Sequence, residues 1–531
     1  MTAPGSPHAP GRKFTADRPE LPAPAPTASL DVVHGRLEQV TADALVVNLF
    51  EGVATPGGAA GAVDSALGGA ISELIAAGDL SGRLSQVAVL YPRGALAAKR
   101  LLVVGLGKPE TFGAEAARRA AASAALRARE LGATSLATVV HRSGSGDLDL
   151  AAATQSTVEG SLLATYRFAG WKQGTAQAPR LHSVMVVESD AAKIAAVSQA
   201  ATAAQAVVAG AYLARDLVNA PPNVVNPSYM ADTARAVALR HGFSVEVGGT
   251  GWAEERNMGA FVAVSRGSEN EPAFIVMEHN AGRTDLPLVA LVGKGVTFDT
   301  GGLSLKTRDG MLPMKNDMSG AAAVLGAMEA VGRLALPLRV VAICPCVENM
   351  PDGKAFRPSD VVIAGNGKSI EIFSTDAEGR LALADALVYA QRYRPEAVID
   401  IATLTGASVT AMGAGVSASL FVSDDSLAAE LLAASAATGE RIWRMPLFED
   451  YRETIDAKVV ADLKNQGGAT GGVGTAAVFL QEFTGGLPWA HVDMAGMGSV
   501  DTVKGRSYLT LGATGYGVRL LVEYLRRRAG A

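Results

Sequence analysis

The chain has 531 residues, a net charge of −5 and 49% hydrophobic residues, too long for one ordinary domain and suited to two or three. Its acidic balance, with a pI of about 5.9, argues against a nucleic-acid surface over the whole chain. Mean hydropathy is +0.21, enough for a large core, yet no apolar run approaches the ~20 residues of a spanning helix, and the N-terminus lacks the basic-then-apolar pattern of a secretion signal.

Residues 1–29 hold seven of the 24 prolines and read as a disordered tail. Residues 30–190 then alternate predicted strands (Ala44 to Leu49, Gln86 to Tyr91, Arg100 to Val104, Ser135 to Val140, Ser183 to Val187) with a helix from Ala114 to Leu131. That rhythm predicts a small α/β domain with a mostly parallel sheet. Gly105-Leu-Gly-Lys108 follows a strand but has neither phosphate-loop spacing, so it reads as a strand-ending turn. Residues 191–225 are a linker helix, stopped by Asn219-Ala-Pro-Pro-Asn223.

Residues 226–531 form a larger α/β domain with a mixed, mostly parallel sheet. Strands are predicted at Ser244 to Val247, Ala260 to Val264, Phe274 to Met277, Leu288 to Val292, Leu338 to Cys344, Ile370 to Phe373, Ala397 to Ile401 and Ala490 to Met494. Helices are predicted at Tyr229 to Arg240, Gly320 to Val331 and Arg380 to Gln391. Ligands of open α/β sheets bind beyond the carboxyl ends of strands, and the charged motifs after Val292 and Phe373, with the turn after Ile401, lie there.

Four carboxylates stand out. Asp299 follows the strand ending at Val292, Asp317 precedes a helix, and Asp376 and Glu378 share one turn. Singly, each reads as a solvated loop carboxylate; converging at strand ends, they suit hard or borderline divalent ions. The seven histidines are scattered and form no H-E-x-x-H pattern, so a mononuclear zinc protease does not fit, and a carboxylate-rich site points to two metals. His279 reads as a strand-end surface residue and His491 as a core histidine. Cys344 and Cys346 share a face of one strand as small buried hydrophobes, which fits a reducing, cytosolic compartment. Gly365-Asn-Gly-Lys-Ser369 imitates a phosphate loop but precedes a strand, so it reads as a hairpin turn.

The stretches Val292-Gly-Lys-Gly-Val-Thr-Phe-Asp-Thr-Gly-Gly-Leu-Ser-Leu-Lys306, Met314-Lys-Asn-Asp-Met318 and Ser374-Thr-Asp-Ala-Glu-Gly-Arg-Leu381 resemble the leucyl aminopeptidases, the cytosol aminopeptidases. Asn219 to Asn223, Glu348 to Pro351 and Thr403 to Gly406 add to the resemblance, which covers about residues 215–525. It implies that Lys294, Asp299, Asp317, Asp376 and Glu378 bind two divalent ions, Mn2+ or Zn2+, with Asp299 and Glu378 bridging. It implies that Lys306 stabilises an oxyanion and that Arg380 holds a bicarbonate as proton shuttle. Met314, Thr403, Leu404, Gly406 and Ala495 match substrate-pocket positions, favouring Leu-like first residues. The resemblance further implies peptide substrates, a homohexamer and a cytoplasmic setting, with no membrane and no nucleic-acid partner. Ser374 departs from it, standing where many relatives have Asn. The alternatives are a two-metal phosphoesterase, which would bring His or Asn ligands, and a DNA-binding role, found in some relatives.

Overall fold

The computed structural model describes residues 14–15, 18–19, 27–142, 148–168, 170–171, 180–502 and 505–530. Most of the expected tail, residues 1–29, lies outside them; within it, Phe14–Thr15 and Arg18–Pro19 pair antiparallel.

The central strands of the first sheet come from apolar runs that are largely buried on both faces. Its strands are β1 (Ser29–His34), β2 (Ala44–Leu49), β3 (Val87–Leu90), β4 (Arg100–Gly105), β5 (Ser135–Thr138) and β6 (Ser183–Glu188), in the order β1-β6-β5-β2-β4-β3. Every pair is parallel except β3 with β4. Alternation along β2 sends Leu45 and Val47 to a cluster with Ala60 and Val63 of helix α1 (Gly58–Ala66). Ala44 and Val46 face the alanine stripe Ala120, Ala124 and Ala128 of α2 (Ala114–Glu130) on the other side. Gly105 is the strand-ending turn expected: a Cβ there would lie 2.0 Å from the Arg83 carbonyl oxygen.

Helix α3 (Leu150–Leu163) packs on α4 (Ile194–Asn219), and α4 packs in turn on α5 (Ser319–Leu334) of the second domain. Two glycines allow that last crossing, since a Cβ on Gly210 would sit 2.1 Å from the Gly326 carbonyl oxygen. With the turn before it, α4 is long and apolar enough to cross a membrane, which corrects the expectation that no apolar stretch reaches that length. Alanines set its hydropathy, and more than half of its apolar window is buried against neighbouring helices.

The second sheet has β7 (Ser244–Gly248), β8 (Ala273–His279), β9 (Leu288–Gly293), β10 (Gly295–Asp299), β11 (Arg339–Asn349), β12 (Ala397–Ala402), β13 (Ala418–Val422), β14 (Ile442–Arg444) and β15 (Trp489–Asp493). The order is β14-β13-β15-β12-β9-β11-β8-β7, with β10 also on β11. The central strands β15, β12, β9 and β11 run parallel, and β7, β8 and β13 join antiparallel. Strand β9 is buried throughout, as a doubly covered parallel strand must be. Its Val289 and Leu291 face α5, while Ala290 and Val292 face α6 (Gly379–Ala390).

Three sequence expectations fail locally. Ala260 to Val264 belongs to a short helix, Gly259–Ser265, because a fully buried apolar run has no period to separate strand from helix. The strand expected from Ile370 to Phe373 is Ser369–Glu371, in a small side sheet. His279 is buried, not on the surface, and its Nε2 lies 2.8 Å from the Leu336 carbonyl oxygen. Three further readings hold. Cys344 and Cys346 are buried and free, His491 is in the core, and Gly365 to Ser369 connects the antiparallel strands Val361–Ile363 and Ser369–Glu371.

Candidate active site

The site sits where the parallel ladder breaks. Residues 288–292 pair with 339–343, and after Lys294 the chain resumes as β10 along the far half of β11, with Asp299 opposite Asn349. At the break the Lys294 N–H donates to the Ile401 carbonyl at 3.1 Å, and its own carbonyl accepts from the Ala321 N–H at 2.8 Å. The N-terminus of α5 therefore abuts the sheet edge, which needs Gly320: a Cβ would lie 2.1 Å from the Ile401 carbonyl oxygen. The Lys294 side chain then crosses the start of α6, where a Cβ on Gly379 would lie 2.3 Å from Lys294 Cε.

The predicted ligand residues meet here. Lys294 Nζ is 2.8 Å from Asp317 Oδ2 and 3.0 Å from Glu378 Oε1, and it donates to the Thr403 carbonyl at 3.0 Å. The Asp317 contact is an ion pair without hydrogen-bond geometry. Lys306 Nζ is 2.8 Å from Asp299 Oδ2 and 2.5 Å from Asp376 Oδ1. Carboxylate oxygens of Asp299, Asp376 and Glu378 lie within 4.8 Å of one another. Asp299, Asp317 and Glu378 are buried, and the Asp376 side chain is 38% exposed, so the cluster opens to solvent on that side.

Four carboxylates face two ammonium groups here. Burial raises Asp299 to about 6, aided by Glu378 and opposed by Lys306 and Lys294; burial likewise raises Asp317. Burial also disfavours charge on Glu378, but Lys294 and Lys306 outweigh it and hold that carboxyl below its usual range. On Lys294 burial is overcome by Asp317, Glu378 and Asp299, which hold the ammonium charged. Glu378 Oε2 is nonetheless buried without a partner, an expensive state for a carboxylate oxygen. Oxygen donors at this spacing, one orphaned, beside an amine fit divalent cations.

Arg380, at the second position of α6, does not pair with Asp376. It is buried, and its Nε and Nη1 have no partner. Burial lowers it to about 10, against the pull of Glu378 and Asp493.

Two family profiles match the chain: "Cytosol aminopeptidase family, catalytic domain" over residues 212–522 and "Cytosol aminopeptidase family, N-terminal domain" over 46–175. The chain belongs to the cytosol aminopeptidase family. A probable cytosol aminopeptidase of Roseiflexus castenholzii is 44% identical over 487 residues, covering 91% of this chain and 96% of that one. One of Geotalea uraniireducens is 43% identical over 465 residues, covering 87% and 92%. Among solved structures, a mutant of tomato leucine aminopeptidase superposes with a TM-score of 0.85 at 33% identity, covering 96% of this chain and 99% of that one. The bottromycin maturation enzyme BotP in complex with Mn gives 0.80 at 35% identity, covering 92% and 100%. The two-domain α/β architecture is that of the family, and the protein is a peptidase of the hydrolase class, a metallo-aminopeptidase.

The expected pocket residues flank the cluster. Thr403 Oγ1 donates to Asp317 Oδ1 at 2.8 Å. The N–H groups of Leu404 and Ala495 donate to Asp493 Oδ1 at 3.2 and 3.1 Å. Gly406 opens the helix Gly406–Met412, and Met314 lies in the 3-10 turn Leu312–Asn316 just before Asp317. Sequence reasoning missed the residues that hold the ligand loops. Asn349 Nδ2 donates to Asp299 Oδ1 at 2.8 Å and to the Thr375 carbonyl at 2.9 Å. Thr375 Oγ1 donates to the Gly301 carbonyl at 2.6 Å. Asp493 gathers the two pocket turns. The available signal was a polar residue closing a buried strand, as Asn349 closes β11 and Asp493 closes β15.

Proposed function

We propose that the chain is a leucyl-type aminopeptidase of the cytoplasm, holding two divalent ions per subunit, Mn2+ or Zn2+, and releasing Leu-like N-terminal residues from peptides. The observation that carries the two-ion reading is the convergence of Asp299, Asp317, Asp376 and Glu378 on two lysines, with Glu378 Oε2 orphaned. When bound, the paired ions supply an acidified water and a polarised scissile carbonyl. Asp299 and Glu378 would serve both ions, Asp376 one, and Lys294 with Asp317 the other. Lys294 can ligate only as a neutral amine, so loading must expel its proton and will weaken as pH falls.

The remaining roles belong to side chains present in the fold. Lys306 reaches the partly open side of the cluster with an ammonium that can donate to an oxyanion as charge develops. Arg380 offers two unpartnered donors in a dry setting and would hold a bicarbonate, which would supply a proton shuttle. Thr403, Leu404, Gly406, Ala495 and Met314 would frame the first side chain of the peptide. We take the assembly to be a homohexamer without a nucleic-acid partner; light scattering and a salt-dependent gel shift test those two points.

The central test is titration of chelator-treated protein with Mn2+ and Zn2+ by calorimetry, followed by assay on Leu, Met, Ala, Phe and Glu amides. Two equivalents per subunit and fastest turnover on Leu and Met amides are expected. A single equivalent would refute the two-ion reading, and a flat substrate profile would refute the pocket.

A further inference from the structure

The two turns that frame the expected pocket arrive from different strands. One, Thr403 to Gly406, follows β12; the other, from Ala495 onward, follows β15. The strands pair in parallel with Ala402 opposite Asp493, and the Met494 N–H donates to the Ala402 carbonyl at 2.8 Å as the ladder closes. Both turns therefore leave the sheet side by side, with Asp493 at the point where they part.

Asp493 is completely buried, and both of its carboxylate oxygens are engaged. Oδ1 accepts the N–H groups of Leu404, Thr405 and Ala495 at 3.2, 3.4 and 3.1 Å. Oδ2 accepts the Thr405 hydroxyl at 2.6 Å. That hydroxyl also accepts the Ser408 N–H at 3.0 Å and so caps the helix Gly406–Met412. N–H groups from two turns thus converge on a single oxygen atom, which fixes how far Leu404 stands from Ala495. Hydrogen bonds to an ionised acceptor are about twice as strong as neutral ones, which suits a carboxylate to this task.

The carboxylate has a rigid base. Alternate residues of β15 share its face. The His491 ring donates from Nδ1 to Asp400 Oδ1 at 2.5 Å, and Trp489 Nε1 donates to Asp400 Oδ2 at 2.6 Å. Trp489, His491 and Asp400 are completely buried. The start of the first turn is fixed as well, since Thr403 Oγ1 donates to Asp317 Oδ1 and Lys294 Nζ donates to the Thr403 carbonyl. Leu404 is held between the ligand cluster on one side and Asp493 on the other.

We propose that Asp493 is the positioning residue that sets selectivity for the first side chain of the peptide. With no exposed surface it cannot reach substrate; it acts by holding Leu404 and Ala495 at one spacing. The inference rests on the pocket assignment proposed above. Walls that shift by a fraction of an ångström lose dispersion contact, and the loss falls on a large first side chain more than on a small one.

Leucine amide and alanine amide, assayed on the same preparation, give a ratio that a general loss of folded protein does not move. The wild type should favour leucine amide by at least about tenfold in kcat/KM, the worth of the extra carbons in a formed apolar pocket. Asp493→Ala should cut that ratio at least about fivefold, through KM for leucine amide more than through kcat. Calorimetric titration of the chelator-treated variant with Mn2+ should give the wild-type affinity. Asp493→Asn keeps an acceptor oxygen for the N–H groups and should restore most of the ratio. Thr405→Val removes the hydroxyl and leaves the carboxylate; it should cut the ratio by a smaller factor, and it carries the test if Asp493→Ala does not fold. A ratio unchanged in Asp493→Ala and Thr405→Val would overturn the inference, as would Mn2+ affinity lost in step with the ratio, which places the effect in the ligand cluster. A wild type without preference would refute the pocket assignment and this inference with it; a preference that survives in the variants refutes this inference alone.

Discussion

Asn465 brackets Ser374: its Nδ2 donates to the Ser374 carbonyl at 2.6 Å, and its Oδ1 accepts from the Ser374 N–H at 3.2 Å. The same amide takes the Phe373 N–H at 2.7 Å and reaches the Ala377 carbonyl at 3.3 Å. One buried side chain thus sets the backbone of the turn that carries Asp376 and Glu378. Ser374 adds its own bond, Oγ accepting from the Asp376 N–H at 3.2 Å, so the turn is held with Ser at this position.

Asn465→Ala removes those bonds without touching a ligand side chain. Metal affinity should fall about 10- to 100-fold, the usual cost of losing a residue that orients ligands. Activity titrated against Mn2+ should recover at saturating metal. Unchanged metal dependence would show that the turn needs no clamp.

Lys306→Ala should leave two equivalents of metal bound and lower kcat about 10²- to 10³-fold, the range for losing one oxyanion donor. Metal content by atomic spectrometry, measured beside kcat, separates this role from ligation: a variant that loses metal would reassign Lys306 as a ligand.

Glu378→Ala and Asp299→Ala should each abolish metal-dependent hydrolysis while the circular dichroism spectrum stays that of the parent. Both side chains are buried, but Lys294 keeps Asp317 and Lys306 keeps Asp376 as a carboxylate partner, so neither lysine is left unpaired and the metal-free variants should stay folded. Activity retained in either variant would refute its place in the metal site.

His141 makes stability depend on pH. Burial lowers its imidazole to about 4 from 6.5. Between those values the unfolded chain binds a proton that the folded chain refuses, so the contribution is present above about pH 6.5 and is lost as pH falls toward 4. The full loss is roughly 3 kcal/mol. Thermal unfolding at pH 7 and pH 5 should show a smaller drop for His141→Leu than for the parent; equal drops would contradict it.

The sequence carried the fold class because apolar runs alternated with helix-forming stretches, and it carried the cluster because ligand residues crowd three short motifs. Runs buried on both faces were less legible. Gly259–Ser265 has no polar face to reveal its helical period. The strand expected before Asp376 stops at Glu371, and Phe373 is 56% exposed, so the turn is positioned by Asn465, 91 residues away from Ser374. Asn349 and Asp493 were hidden for a related reason. Each is one polar residue ending a strand, and only the three-dimensional register shows which loops it reaches.

The glycine crossing of α4 on α5 has a consequence for how the molecule unfolds. One apolar cluster runs without interruption from Val184 and Val186 of β6 through Val207 and Val208 of α4 to Leu325 of α5 and Leu291 of β9. Neither domain closes its own interior, since each borrows a wall from the helix between them. The peptidase half expressed alone would expose the side of α5 that α4 covers, and a calorimetric scan of the whole chain should melt both sheets in a single transition.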